Sequence, residues 1–221
     1  MFTRIARRYD LMNSLMTGGL HHAWRRRLAG AAAGAPTGPV LDLATGTADL
    51  AIAVRARTPG RFVAGADFSE GMLRVGHDKL RARRVARVQL LVGDALALPF
   101  RDGAFACVMS AFLLRNLEDL ERGLAEMRRV TIRGGRVVTL DIVRPAAPVW
   151  GAVFGAYFNH VVPAIGALVA GDRQAYTYLP QSVDRFVTPD ELAEMMEKVG
   201  LRDVSYQRLG LGTIALHSGI A

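Results

Sequence analysis

Short apolar runs alternate with amphipathic stretches from Val40 to Asp141, the pattern of a parallel sheet flanked by helices. Val40–Leu43, Arg61–Asp67, Val88–Gly93, Ala104–Ser110 and Arg136–Asp141 read as strands, and Asp49–Arg57, Glu70–Arg83 and Leu117–Val130 as the connecting helices. In the last helix Leu117, Leu120, Leu124 and Met127 recur near the helical period. Thr188-Pro189-Asp190-Glu191 is a capping box with proline at the first helical position. Leu192, Met195, Met196 and Val199 form one apolar stripe behind it, and Gly200 ends that helix. Asp203–Gln207 and Thr213–Ser218 then pair as a hairpin through Gly210-Leu211-Gly212. These elements predict an α/β fold: a Rossmann-like, seven-stranded, mostly parallel sheet with an antiparallel last strand and helices on both faces.

Two segments fall outside that alternation. Thr3 to Leu28 reads as helical pieces broken at Gly18-Gly19, and residues 1 to about 30 are placed to close over a ligand as a lid. From Ala146 to Gly171 there is no Asp, Glu, Lys or Arg. By length this run could span a bilayer. Pro148, Pro163, several glycines and Asn159-His160 interrupt it, so two short helices lining an apolar pocket or touching lipid are expected instead. One domain, residues 1–221, holds both segments.

Composition narrows the classes. With 51% hydrophobic and 22% charged residues the chain is globular, and it carries no repeat or low-complexity tract. A net charge of +8 would suit nucleic acid or an anionic membrane. Lys79 and Lys198 are the only lysines, however, and an arginine skew in an Ala- and Gly-rich chain reflects codon composition as much as function. The lone Cys107 excludes an internal disulfide and implies a reducing compartment. No apolar run follows MFTRIARRYD, so no secretory signal is expected and the chain is placed in the cytoplasm, with peripheral contact at the inner membrane face left open. A homo-oligomer is also left open.

In an open parallel sheet, ligands bind beyond the carboxyl ends of the strands, where strand order reverses. Thr45-Gly46-Thr47 follows the first strand, Asp67 ends the second, Gly93-Asp94-Ala95 follow the third, and Ser110 and Leu114-Arg115-Asn116 follow the fourth. A dinucleotide needs the three glycines of G-x-G-x-x-G. In LDLATGTADLA the first and third of those positions are Ala44 and Asp49, and an aspartate at the helix start repels a diphosphate. S-adenosylmethionine has no phosphate. Asp67 can accept its ribose hydroxyls, Asp94 its adenine amino proton, and the Ala95 N–H can donate to the ring. Gly46 permits close approach, the Thr47 hydroxyl can serve the carboxylate or ribose, and Asp42 and Asp49 place negative potential near the ammonium. Each signal alone is weak, but together they point to a methyltransferase.

Longer motifs carry a resemblance over almost the whole chain. YDLMN, LHHAWRR, LDLATGTADLA, GADFSEGML, GDALALPF, LRN, EMRRV, YTYLPQSVDRF and ALHSG together resemble the ubiquinone/menaquinone biosynthesis C-methyltransferases. The resemblance implies a class I methyltransferase that uses S-adenosylmethionine to methylate a carbon of a prenylated quinol, with Thr47, Asp67, Asp94 and Ala95 holding the donor. In that family Ala or Cys commonly stands where Ala44 does. Two positions depart: FLLRN places Leu113 where the family has glycine, and a donor-contacting serine of some relatives matches Ala111, leaving Ser110 one residue away. Leu113 is expected to narrow the acceptor pocket or alter the turn.

A ring carbon is a poor nucleophile until the quinol hydroxyl loses its proton. Arg115 is the first catalytic candidate, since a guanidinium stabilises a phenolate but is a poor base, and a water held by Arg115 and Asn116 could take the proton. His217, Tyr9 and His160 are second-line candidates for base or acceptor contact. His21-His22 lack carboxylate or cysteine company, so no metal is expected. An RNA methyltransferase would account for the charge, but FLLRN supplies neither a catalytic cysteine nor an Asn-Pro-Pro-Tyr-like loop, and no nucleic-acid partner is expected. A donor-binding protein without catalysis is the non-enzymatic alternative.

Overall fold

A computed structural model describes residues 2–166 and 173–221. The sheet has seven strands in the order β3-β2-β1-β4-β5-β7-β6: β1 (Val40–Leu43), β2 (Val63–Asp67), β3 (Val88–Val92), β4 (Phe105–Ala111), β5 (Thr131–Ile142), β6 (Arg202–Leu209) and β7 (Ile214–Ile220). Strands β1 to β5 pair in parallel, and β7 runs antiparallel to both β5 and β6. Strand order reverses between β1 and β4, which places the ligand crevice at their carboxyl ends.

Both faces of the sheet are covered, which is why β1 is buried at every residue and β4 at all but its last. On one face α2 (Leu20–Ala33) and α3 (Asp49–Arg57) pack Leu28, Ala32, Leu50 and Val54 onto Val40, Met109 and Val138. On the other, α5 (Leu120–Arg129) and α9 (Pro189–Lys198) pack Leu124, Met127, Leu192 and Met196 onto Leu41, Val108 and Val137. The capping box at α9 forms as its sequence dictates, Thr188 Oγ1 accepting from the Glu191 N–H and Glu191 from the Thr188 N–H. Cys107 is fully buried between strands, where burial pushes its thiol up to about 12 and leaves it inert.

The N-terminal segment forms α1 (Phe2–Thr17) and α2, separated at Gly18 and Gly19, whose φ values of 56° and 80° favour glycine. The uncharged run forms α6 (Pro148–Ala156), a π-helical turn at Tyr157–Val161 and α7 (Val162–Ile165). The two expected helices are therefore joined through the π turn without a break. Residues 167–171 of that run lie outside the described residues. Met12 of α1 and Val162 of α7 are fully buried against each other's surroundings, with Tyr9, Met16, Tyr157 and Leu179 packed around them. This small cluster seats α1 on α7 and on α8 (Arg173–Arg185). Among the described residues no helix is long and apolar enough to cross a membrane.

Candidate active site

The loop after β1 turns through three left-handed residues: Ala44 at φ 57°, Gly46 at 56° and Ala48 at 66°. This alternation is what glycines would favour, and two alanines bear it with some strain. The Gly46 N–H donates to Asp67 Oδ2 at 2.8 Å, which ties the ends of β1 and β2 together. Ser69 N–H donates to Asp67 Oδ1 at 2.8 Å. Burial raises the Asp67 carboxyl above its usual range, and these two N–H groups work against that rise. Asp94 is exposed and accepts from the Leu96 N–H at 2.8 Å, and Ala95 beside it is buried. Ser110 pairs across the sheet with Leu43 and Thr139; its Oγ is buried and has no partner among the described residues. A Cβ on Gly46 would lie 3.3 Å from Met72 Cε in a conformation L residues rarely adopt, so this close approach needs glycine. The orphaned Ser110 hydroxyl, the Gly46 cradle and the Asp67 carboxylate fit a polar, phosphate-free donor at this crevice.

Thr47 is placed differently from its neighbours. Its hydroxyl donates to Asp10 Oδ1 at 2.7 Å and accepts from Lys79 Nζ at 2.8 Å. Lys79, on α4 (Glu70–Ala82), also pairs with Asp10 of α1 and, at 2.7 Å, with Asp49 of α3. Asp49 pairs in turn with Arg25 of α2 at 3.0 Å. Asp49, expected to supply negative potential, therefore spends its charge on Arg25 and Lys79, and these two hold its carboxyl below the usual range despite burial. Asp42 lies fully buried and accepts from Thr45 Oγ1 at 2.6 Å; burial raises its pKa to about 7. Four helices are thus linked around Thr47 by one chain of charges.

Beside this crevice lies a cavity of about 460 Å³, within the usual range for small-molecule sites. Phe112, Arg115 and Asn116 after β4, Ile142 at the end of β5 and Ile214 at the start of β7 form its floor. Tyr9, Asn13 and Met16 of α1, and His21 and Trp24 of α2, form one wall; Trp150, Phe154, Tyr157 and Leu179 form the other. Tyr157 O–H donates to Met16 O at 2.8 Å and so joins the two walls. The lining is almost wholly apolar, and four polar atoms of these residues are buried without a partner among the described residues: Asn13 Nδ2, His21 Nε2, Arg115 Nε and Trp150 Nε1. Buried polar atoms are rarely left so, and four of them on residues that line one cavity make it the candidate ligand site.

Arg115 and Asp141 form a buried ion pair, their side chains 8% and 2% exposed. Asp141 also accepts from its neighbour, the Ile142 N–H, at 3.0 Å. Asn116 Nδ2 donates to Phe112 O at 2.9 Å and so braces the turn. Phe112 adopts φ 64°, a left-handed conformation costly for an aromatic residue, while Leu113 has φ −94°. Leu113 packs against the core and is not among the residues that line the cavity.

Among the expected residues the structure brings Arg115, Asn116 and Tyr9 into the cavity wall. Gly46, Thr47, Asp67, Asp94, Ala95 and Ser110 lie at the neighbouring strand ends and do not line it. His217 is fully buried elsewhere, with Nε2 2.9 Å from Pro189 O, and His160 is exposed on the π turn. Asp141, Asn13 and Trp150 were not singled out from sequence, and His21 was read there only as a histidine without metal-binding company. A helix-start His four residues after a Thr was the available signal for His21. Among the described residues no cluster of three or more His, Cys, Asp or Glu is placed to hold a metal.

Residues 1–221 match the description of the ubiE/COQ5 methyltransferase family. The chain is 45% identical to "Demethylmenaquinone methyltransferase" of Thermus thermophilus over 99% of both proteins. It is 41% identical to "Ubiquinone/menaquinone biosynthesis C-methyltransferase UbiE" of Methylobacterium nodulans over 99% of this chain and 88% of that protein. A SAM-dependent methyltransferase from Thermotoga maritima shares the fold at 18% identity with a TM-score of 0.67, over 99% of this chain and 97% of that one.

Proposed function

Because the chain belongs to the ubiE/COQ5 methyltransferase family, we propose that it methylates a ring carbon of a prenylated quinol in respiratory quinone biosynthesis, with S-adenosylmethionine as donor. Demethylmenaquinol is the acceptor this reading favours, and the benzoquinol of the ubiquinone pathway is the alternative. The observation that carries it is the apolar cavity beside the β4 end, walled by aromatic rings and lined by residues with four polar atoms unpartnered among the described residues. A flat, fused ring with two oxygens matches that chemistry.

Gly46, Asp67, Asp94, Ala95 and Ser110 would hold the donor at the adjacent strand ends, with Thr47 behind them in the Asp10–Lys79 link. When bound, the donor supplies its methyl group as a carbocation equivalent, the S–CH₃ bonding pair leaving with sulfur. Arg115 acts on the acceptor. Asp141 neutralises much of its charge, so Arg115 contributes a directed Nε–H toward the developing phenolate more than a free cation. With Asn116 Nδ2 spent on the turn, its Oδ1 is the atom left to hold a water. The walls exclude bulk water, which strengthens each of these interactions. Helix α1 acts as a lid whose latch is Asp10, seated on Thr47 and Lys79.

Leu20, Val153 and Leu211 line the cavity yet are 54%, 52% and 80% exposed, so the mouth has an apolar rim. A prenyl tail leaves through that rim, and the rim rests against the bilayer from which substrate is drawn. The test uses labelled donor with demethylmenaquinol carrying no, one or two isoprene units. KM should fall as the tail lengthens, by about tenfold per two or three buried methylenes. Equal KM across the series would remove the tail from the site, and no transfer to any quinol would overturn the reading.

A further inference from the structure

His21 opens α2 just after the Gly18-Gly19 break and is 1% exposed in the cavity wall. Its Nδ1 lies 2.9 Å from Thr17 Oγ1. That hydroxyl has one proton and has already placed it, donating to Asn13 O at 2.7 Å. Its oxygen can then only accept, so the ring proton of His21 resides on Nδ1. Nε2 is left with a lone pair, buried and without a partner among the described residues. The three other side-chain atoms of cavity-lining residues that are buried and unpartnered among the described residues, Asn13 Nδ2, Arg115 Nε and Trp150 Nε1, are all donors. A quinol hydroxyl needs an acceptor, and His21 Nε2 is the acceptor in this set.

Resting on the quinol reading above, we propose that His21 is the general base of the reaction, its Nε2 accepting the hydrogen bond of the acceptor's ring hydroxyl and removing that proton. As the O–H bond breaks, the proton goes to Nε2 and its bonding pair stays on oxygen. Electron density pushed into the ring forms the new C–C bond to the donor's methyl group. The substituted carbon then loses its hydrogen to water, the C–H pair restoring aromaticity, and the oxygen recovers a proton from His21. One proton leaves to solvent for each methyl transferred.

The surroundings keep the imidazole neutral and available. Burial, followed by Arg25 and His22 on its own helix and Lys79 of α4, pushes His21 down to about 4, with Asp49 of α3 pulling the other way. Tyr9, Arg115, Tyr157 and Tyr178 share the cavity. The charged imidazolium forms only together with the phenolate opposite it, as a pair inside a dry site.

Three measurements test the assignment. First, ¹⁵N NMR of the imidazole in the free protein should show the Nδ1–H tautomer at neutral pH; an Nε2–H tautomer would overturn it without any assay of activity. Second, His21→Gln should lower kcat by about 10²- to 10⁴-fold under anaerobic conditions, with demethylmenaquinone still quenching the fluorescence of Trp24 and Trp150. The variant's kcat should rise with pH across the range where wild type is flat, and imidazole should restore part of the turnover of His21→Ala. Third, His77→Gln, exposed on α4 and outside the cavity lining, should leave kcat and its pH profile unchanged. A His21→Gln enzyme with wild-type kcat and pH profile would refute the base while leaving the quinol reading standing. A wild-type enzyme that methylates no quinol would refute that reading itself.

Discussion

Replacing Arg115 by Ala strands Asp141, a carboxylate 2% exposed, without its cation. Breaking a buried pair by removing one partner costs about 3–5 kcal/mol. Asp141 keeps the Ile142 N–H at 3.0 Å, which places the loss near the lower bound, about 3 kcal/mol. For a chain of 221 residues that is a fall in Tm of about 6–12 °C. Urea unfolding followed by circular dichroism measures it, and labelled-donor turnover on folded protein measures the chemistry separately. The double variant Arg115→Met/Asp141→Asn removes both charges and keeps an acceptor for the Ile142 N–H. It should recover stability to within about 1 kcal/mol of wild type, about 2 kcal/mol above Arg115→Ala. Its turnover should nevertheless stay about 10²- to 10³-fold down, because the directed Nε–H is gone, while donor affinity is unchanged. An Arg115→Ala protein as stable as wild type would refute the buried-pair reasoning. A double variant with wild-type turnover would refute the role of Arg115.

Ala44 is half-buried at φ 57°, so Ala44→Gly should stabilise the fold by up to about 1 kcal/mol, strain relief exceeding the added freedom of the unfolded chain; a loss in urea unfolding would show that the turn is unstrained. The pKa of His21 is lowered from 6.5 to about 4, so the unfolded chain protonates first as pH falls. Stability should therefore decline between pH 6.5 and about 4, by up to about 3 kcal/mol, and His21→Gln should flatten that slope. Asp42, raised from 3.8 to about 7, has the opposite sign: its contribution is present at low pH and lost as pH rises through that window, and Asp42→Asn should abolish the loss. Lys79→Met should cut the tie between Asp10, Thr47 and Asp49, and hydrogen exchange in α1 should quicken by about tenfold or more while the β4 and β5 strands stay protected.

The elements whose apolar pattern is local were legible. β1 and α3 have the bounds that their sequence predicts, and the α9 cap is a local hydrogen-bond pattern written in four residues. β5 begins at Thr131, five residues before the apolar pattern does, because Arg133-Gly134-Gly135 interrupts the alternation where the β4–β5 register shifts. Residues in helix α8 were visible as a motif and not as a helix, since Pro180 sits within it. The strand-end residues were legible because the fold class says where to look. The uncharged run was legible as pocket-lining helices, but the opposite wall was not, because α1, α2 and α6 meet there from distant parts of the chain and no spacing encodes their contact. Asp141 read as the end of a strand until Arg115 was placed beside it, and His21 read as one of two adjacent histidines until Thr17 fixed its tautomer. At Leu113, where the resemblance led one to look for a glycine, φ is −94°, and the left-handed residue of that turn is Phe112.

The central claim is transfer of a methyl group to a ring carbon, and ¹³C NMR of the product tests it most directly. Purified protein is incubated anaerobically with S-[methyl-¹³C]adenosylmethionine and demethylmenaquinol bearing two isoprene units. The account predicts one enriched resonance in the aryl-methyl region, coupled to the ring carbons of menaquinol. An enriched methoxy resonance, or label found on no quinol at all, would contradict it.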